Sequence, residues 1–321
     1  MPERAARTAF GRILNQEVNG VTTGLKSLLW SSAALGLLVL LLVPGLNLIA
    51  AALLIVPFAV LYTSVSARLF AGCVAIVLAL GFWLLGPGAL MLGIFFLVPA
   101  IVMGHLYRRG AQARTVIMAV SLTLLAEFLL ELLVFSVLLD ISLIGEMTKQ
   151  VRLMFAELTA QTPAGQMWDP QMTEQLIKTL VHAIPLVLIL ISFLCAVVAH
   201  WVARRVLRAA YGTEVAGAKP ARDWMLPRVL VWYYLIALVL DLFVPAGDDS
   251  YLTVVLVNLI PLLRFAFSIQ AIGFFFYVAY QRGWSKAVPL LLAIPVLIFP
   301  PLSLIGVLDV AFPIRKSFKK T

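Results

Sequence analysis

Glu127 and Glu131 lie four residues apart inside an apolar run, 115–139. On a helix that spacing puts both carboxylates on one face. A charge at the centre of a bilayer costs about 2.5–3.5 kcal/mol on insertion scales, so it faces a partner or a water-filled cavity. Arg264 sits near the middle of a second apolar run, 251–280. Depth counting puts Glu127 and Arg264 both near the midplane, and an ion pair between them is expected. Such a pair either locks two helices together or forms part of a ligand or ion site.

By the same counting Glu131, His182, Asp241 and Asn258 fall in the outer half, where together they could line an outward-facing cavity. His182 also follows Lys178 by four residues near a helix end, which suits an interfacial role. Gln270 lies inside its segment and is expected to hydrogen-bond a neighbour. His105 and His200, beside Tyr107 and Trp201, are read as anchors at the inner boundary. Gly20, Gly24, Ser27, Ser31 and Ala34 recur on one side of the first segment. Small residues let helices approach closely in lipid, so this stripe serves internal packing or docks another membrane subunit. Cys73 and Cys195 each sit in an apolar run and read as packing residues, with no disulfide or metal pattern. The chain has no GxxxxGK[ST] loop, no HExxH pair and no GxSxG elbow. The expectation is therefore no enzyme, no catalytic residue, no metal and no cofactor.

The elements that position these groups follow from composition. Of 321 residues, 63% are hydrophobic and 12% charged, with a mean hydropathy of +1.04. An ordinary soluble domain is about 45–50% apolar and about 25% charged, so the excess must face lipid. Backbone groups in lipid are satisfied by helices or closed barrels, and the weak ten-residue alternation of a barrel is absent. The fold class is all-α, a polytopic transmembrane bundle of about nine segments. Their cores are 27–43, 46–62, 69–86, 88–105, 115–139, 178–201, 229–245, 251–280 and 287–308. Pro44-Gly45 and Gly86-Pro87-Gly88 mark tight hairpins. The net charge of +9 lies in short gaps beside apolar runs. That pattern sets membrane orientation and speaks against nucleic acid. With the N-terminus in the cytoplasm, most Lys and Arg fall inside, as positive-inside predicts. Nine full spans would leave Arg315, Lys316, Lys319 and Lys320 outside. The prolines 289, 295, 300 and 301 offer another path, a broken or re-entrant segment that returns the tail.

The chain is divided into a six-helix membrane unit (1–208), a basic cytoplasmic linker (209–228) and a C-terminal portion (229–321). Within the first, 140–177 forms an outer loop carrying an amphipathic helix.

Several stretches, in order, carry a resemblance: VTTGLKSLLWSSAALG (21–36), LVPAIVMGHLYRRG (97–110), IPLVLILISFLCAVVAHWVARRVLR (184–208), RDWMLPRVL (222–230), NLIPLLRFAFSIQAIGFFFYVAYQRGWSK (258–286) and LIGVLDVAFPIRK (304–316). Together they resemble the YybS-like family of bacterial membrane proteins, a domain of unknown function. That family is similar to the S components of energy-coupling-factor transporters and to MreD-type scaffolds. The resemblance implies a six-helix, S-component-like unit with an outward-facing ligand site, plus a C-terminal extension. In S components a small-residue stripe on the first helix meets a coupling subunit; here Lys26, Leu28 and Leu29 interrupt it. The expected protein is a multi-pass protein of the bacterial cytoplasmic (inner) membrane. Its expected function is substrate binding or a transport-associated role, with the lipid bilayer, another membrane subunit and a small-molecule ligand as partners. The alternative is a non-transporting scaffold or regulatory subunit of a cell-envelope complex.

Overall fold

A computed structural model describes residues 24–138, 142–161, 170–245, 250–312 and 314–318. Among the described residues all regular structure is helical. Among the described residues six helices are long and apolar enough to cross a membrane: α2 (Asn47–Ser64), α3 (Ala67–Leu85), α4 (Pro87–Arg108), α5 (Ala113–Leu138), α8 (Ile184–Tyr211) and α10 (Tyr251–Arg282). Three apolar stretches expected to span give shorter helices: α1 (Gly24–Leu40), α9 (Val229–Asp241), and the 287–308 stretch as two pieces, α11 (Ala287–Ile298) and α12 (Ser303–Ala311). The remaining helices, α6 (Leu143–Gln161) and α7 (Pro170–His182), belong to the expected outer loop.

The chain forms two compact units. One comprises Met1–Glu131 and Ile191–Ala218, the other Leu132–Leu190 and Lys219–Thr321. This division departs from a cut at 208, because the stretch 132–190 groups with the C-terminal portion.

In the first unit α2 is central. Every residue from Leu54 to Leu61 is buried, and a helix apolar and buried all round must lie inside a bundle. Around it, α5 contributes Val116, Val120 and Leu124, and α8 contributes Ala196, Ala199, Ala203 and Leu207. Leu122, Leu129 and Leu130 on the outer face of α5 stay more than half exposed, the face that lipid covers. Gly86 turns the chain from α3 to α4 at φ +82°, which a residue with a Cβ rarely adopts. Pro87 then opens α4. Arg108 closes the C-terminal end of α2, donating to the carbonyls of Tyr62 and Val65.

In the second unit α10 is the spine. Its 32 residues span about 48 Å at 1.5 Å per residue. Val231, Tyr234 and Ala237 of α9 and Val307 and Val310 of α12 pack with Leu263 and Phe267 of α10. The α10–α12 crossing is close enough that a Cβ on Gly306 would overlap the Phe267 carbonyl oxygen.

The 287–308 segment is not one span. It breaks at Phe299–Leu302, between α11 and α12. α11 leaves from the C-terminal end of α10 and packs back along it. α12 then runs the other way: Gly306 lies against Phe267 and Ala271, Asp309 against Gln270, and the Arg315 carbonyl accepts from Tyr277 Oη at 2.9 Å. The chain thus returns to the end of α10 from which it left. At 12 and 9 residues the two arms reach about 18 and 14 Å, short of the roughly 30 Å hydrocarbon core. The two arms form a broken hairpin along α10, and its returning end meets the 219–228 linker, where Arg315 donates to the Arg222 and Trp224 carbonyls.

Candidate functional site

The inward stripe of α5 begins with Ala113, Val116, Val120 and Leu124, all at most 3% exposed. Steps of three and four residues continue it to Glu127 and then Glu131. The face that packs against the core therefore turns acidic at Glu127. Both glutamates are half-buried. Glu127 Oε2 is buried and has no hydrogen-bond partner among the described residues. Phe128 beside it packs on Phe95 of α4 at 4.9 Å between ring centroids. Buried polar atoms are nearly always partnered, so this oxygen is free to accept a hydrogen bond from water or a ligand. Among the described residues no group of three or more His, Cys, Asp or Glu could hold a metal ion. The site is a carboxylate pair, suited to a cationic group held by charge and hydrogen bonds.

Arg264 falls in the other unit, half-buried on α10, where its carbonyl accepts from Ser268 Oγ at 3.0 Å.

Asn258 has a different task. In a continuous helix the Leu186 amide would donate to the His182 carbonyl. Here the Asn258 side chain stands between them: Nδ2 donates to His182 O at 2.7 Å, and Leu186 N donates to Oδ1 at 2.7 Å. Nδ2 also reaches Val254 O at 2.7 Å. The ladder resumes on both sides, with Ala183 N to Thr179 O at 3.0 Å and Val187 N to Ala183 O at 3.1 Å. A side chain inserted into one rung is a recognised cause of a helix break, and Pro185 adds its own. The expected 178–201 segment is accordingly split into α7 and α8, and His182 contributes its backbone to the break.

Gln270 is 1% exposed and fully engaged. Its Nε2 donates to Asp309 Oδ2 at 2.6 Å, and its Oε1 accepts from Leu226 N at 3.0 Å. Asp309, with a side chain fully buried, pairs with Arg315 Nη2 at 2.7 Å. Arg315 also donates from Nη1 to Arg222 O at 2.7 Å and from Nη2 to Trp224 O at 2.9 Å. Four chain segments (linker, α10, α12 and tail) meet in this one clamp.

Asp241 is exposed at the end of α9. Ser27 and Ala34 face inward at 5% and 0% exposure, while Gly24 is exposed. Ser31 Oγ is buried with no partner among the described residues, and Gly20 lies outside them. His105 is exposed. His200 is not an interfacial anchor: it is 4% exposed, and its Nδ1 lies 2.9 Å from Tyr107 Oη. Beside that pair a pocket of about 300 Å³ is lined by Tyr107, Gly110, Ala111, Glu214, Val215 and Ala216.

A family model described as "Predicted membrane protein (DUF2232)" matches residues 32–310. The chain belongs to this family. It is also 25% identical, over 265 residues, to "Uncharacterized protein YybS" of Bacillus subtilis (strain 168), a match covering 75% of this chain and 84% of that one. No solved structure matches. The matched region holds the glutamate pair, Asn258, Gln270 and Asp309, and stops before Arg315.

Two clusters escaped the sequence reading. Asp309 is an acid inside an apolar stretch, and Arg315 follows six residues later; an intramembrane acid with a nearby cation is the signal that marks such a pair. Tyr107 and His200 lie 93 residues apart, and no local pattern joins them.

Proposed function

We propose that this integral membrane protein is a substrate-binding, transport-associated subunit, and that Glu127 and Glu131 hold a cationic group of its ligand. One observation carries the reading: the core-facing stripe of α5 becomes acidic at Glu127, whose Oε2 is buried and has no partner among the described residues. A carboxylate kept in an apolar bundle without such a partner is costly as pure structure. It is economical when a charged ligand occupies it. The chain acts without catalysis of its own and relies on a second membrane subunit or an ion gradient for any uphill step. The basic gaps support a bacterial cytoplasmic membrane location with the N-terminus inside.

A second reading has its own support. Asn258, one of the residues expected to line an outer cavity, and Gln270 spend their hydrogen bonds on backbone and on Asp309. That use suits a scaffold or regulatory subunit of a cell-envelope complex, where polar groups fix helix packing.

Affinity purification of the full chain from its host, with mass spectrometry of retained proteins, separates the two. Recovery of a transport coupling subunit supports the first reading. Recovery of cell-envelope assembly proteins alone overturns it in favour of the second.

A further inference from the structure

We infer that the C-terminal end of α10 carries a binding surface for the headgroups of anionic phospholipids. Two basic runs far apart in sequence meet there. The linker lies along α10, and the Arg222 guanidinium stacks 3.9 Å from the Tyr280 ring centroid. Trp224 Nε1 donates to the Lys219 carbonyl at 2.8 Å, which holds Lys219 beside the same stretch. Arg282 ends α10 and Lys286 precedes α11, both exposed. Arg222 Nε lies 3.9 Å from Asp223. The stretches 219–223 and 282–286 together carry four cations, Lys219, Arg222, Arg282 and Lys286, and one acid, Asp223, a net charge of +3.

The occupant follows from depth and from the aromatic rings. α10 is about 48 Å long, and a bilayer including headgroups is about 40–45 Å thick. With Ser250 capping its start, the far end of α10 reaches the opposite headgroup layer. Tyr280 and Trp284 are 61% and 51% exposed there. Such amphipathic rings settle at the headgroup level, and cations beside them attract anionic lipid. A nucleic-acid site would need the basic face to stand in water, clear of this aromatic collar.

The test is native mass spectrometry of the full chain released from nanodiscs of phosphatidylcholine with about one third phosphatidylglycerol. Wild type is compared with Lys219→Gln/Arg282→Gln/Lys286→Gln, and with Arg68→Gln/Arg109→Gln/Arg114→Gln, which removes equal charge from exposed sites in the other unit. Each lost cation is worth about fivefold in affinity, so retained phosphatidylglycerol falls more than tenfold in the first variant and by much less in the second. Circular dichroism melting verifies that both variants stay folded. Equal losses in the two variants overturn the inference. So does unchanged retention in the first variant, or wild-type retention of phosphatidylcholine matching that of phosphatidylglycerol.

Discussion

Removing Arg315 should cost the second unit more than any other single change outside its apolar core. Arg315 Nε lies 2.9 and 3.1 Å from the two Asp309 oxygens, and Nη2 lies 2.7 Å from Oδ2. The Asp309 side chain is wholly buried and that of Arg315 is 15% exposed. Arg315→Ala leaves a buried carboxylate with Gln270 Nε2 as its remaining donor, and strips donors from the Arg222 and Trp224 carbonyls. Breaking one side of a buried pair typically costs about 3–5 kcal/mol. Asp309→Asn keeps the shape, and Arg315 keeps its two carbonyl bonds, so its expected cost is smaller, about 1–3 kcal/mol. Asp309→Asn combined with Arg315→Ala removes both charges together and should cost less than the two single changes summed, a coupling of about 1–3 kcal/mol. The assay is unfolding of the purified chain in mixed micelles by titrated sodium dodecyl sulfate, followed by tryptophan fluorescence. Limited trypsin digestion at Arg222 and Arg228 reports on the linker, which should be cut faster once its carbonyl anchors are lost. Additive single effects, or a cost for Arg315→Ala below about 0.5 kcal/mol, the range of ordinary surface changes, would refute the reasoning.

Three further outcomes follow from the same geometry. Gly306→Ala drives a Cβ into the Phe267 carbonyl. It should destabilise the second unit by about 1–3 kcal/mol or more through forced separation of α12 from α10, read by the same titration. Asn258→Asp loses the donor to His182 O and Val254 O, so hydrogen exchange at Ala183 to Val187 should accelerate at least tenfold, whereas Asn258→Gln should recover little because its longer arm overshoots the rung. Single cysteines at Lys219 and Lys316, placed in a chain with Cys73 and Cys195 replaced by Ser, should react with a membrane-impermeant maleimide from one and the same side; labelling from opposite sides would exclude the returning hairpin.

What could be read from the sequence was decided by local chemistry. Gly86-Pro87 announces its turn because positive φ and a fixed proline φ leave few alternatives. The prolines of 287–308 announce a break, and the structure puts it at Phe299–Leu302. Helix rotation was not legible. In water an inward face stands out by being apolar, but in lipid both faces are apolar. The buried Val120 and the exposed Leu122 of α5 look alike as letters. The direction of Glu127 and Glu131 therefore emerged only once the burial of the stripe before them was known. Asn258 reads from the sequence as a polar residue in an apolar run, but its long-range partners are backbone groups of α7 and α8, which 72 and 76 residues of separation hide. Arg315 was weighed as a topology charge beside the other tail cations. Its partner, Asp309, lies six residues earlier, on α12.

The central claim is that the acidic stripe of α5 binds a cationic ligand. The direct measurement is small-molecule mass spectrometry on denatured extracts of the chain purified in mild detergent, comparing wild type with Glu127→Gln/Glu131→Gln. A cationic compound present in near-stoichiometric amount in the wild type and lost from the folded variant is the predicted result. Identical extracts from the two proteins, or no cationic compound in either, would contradict the account.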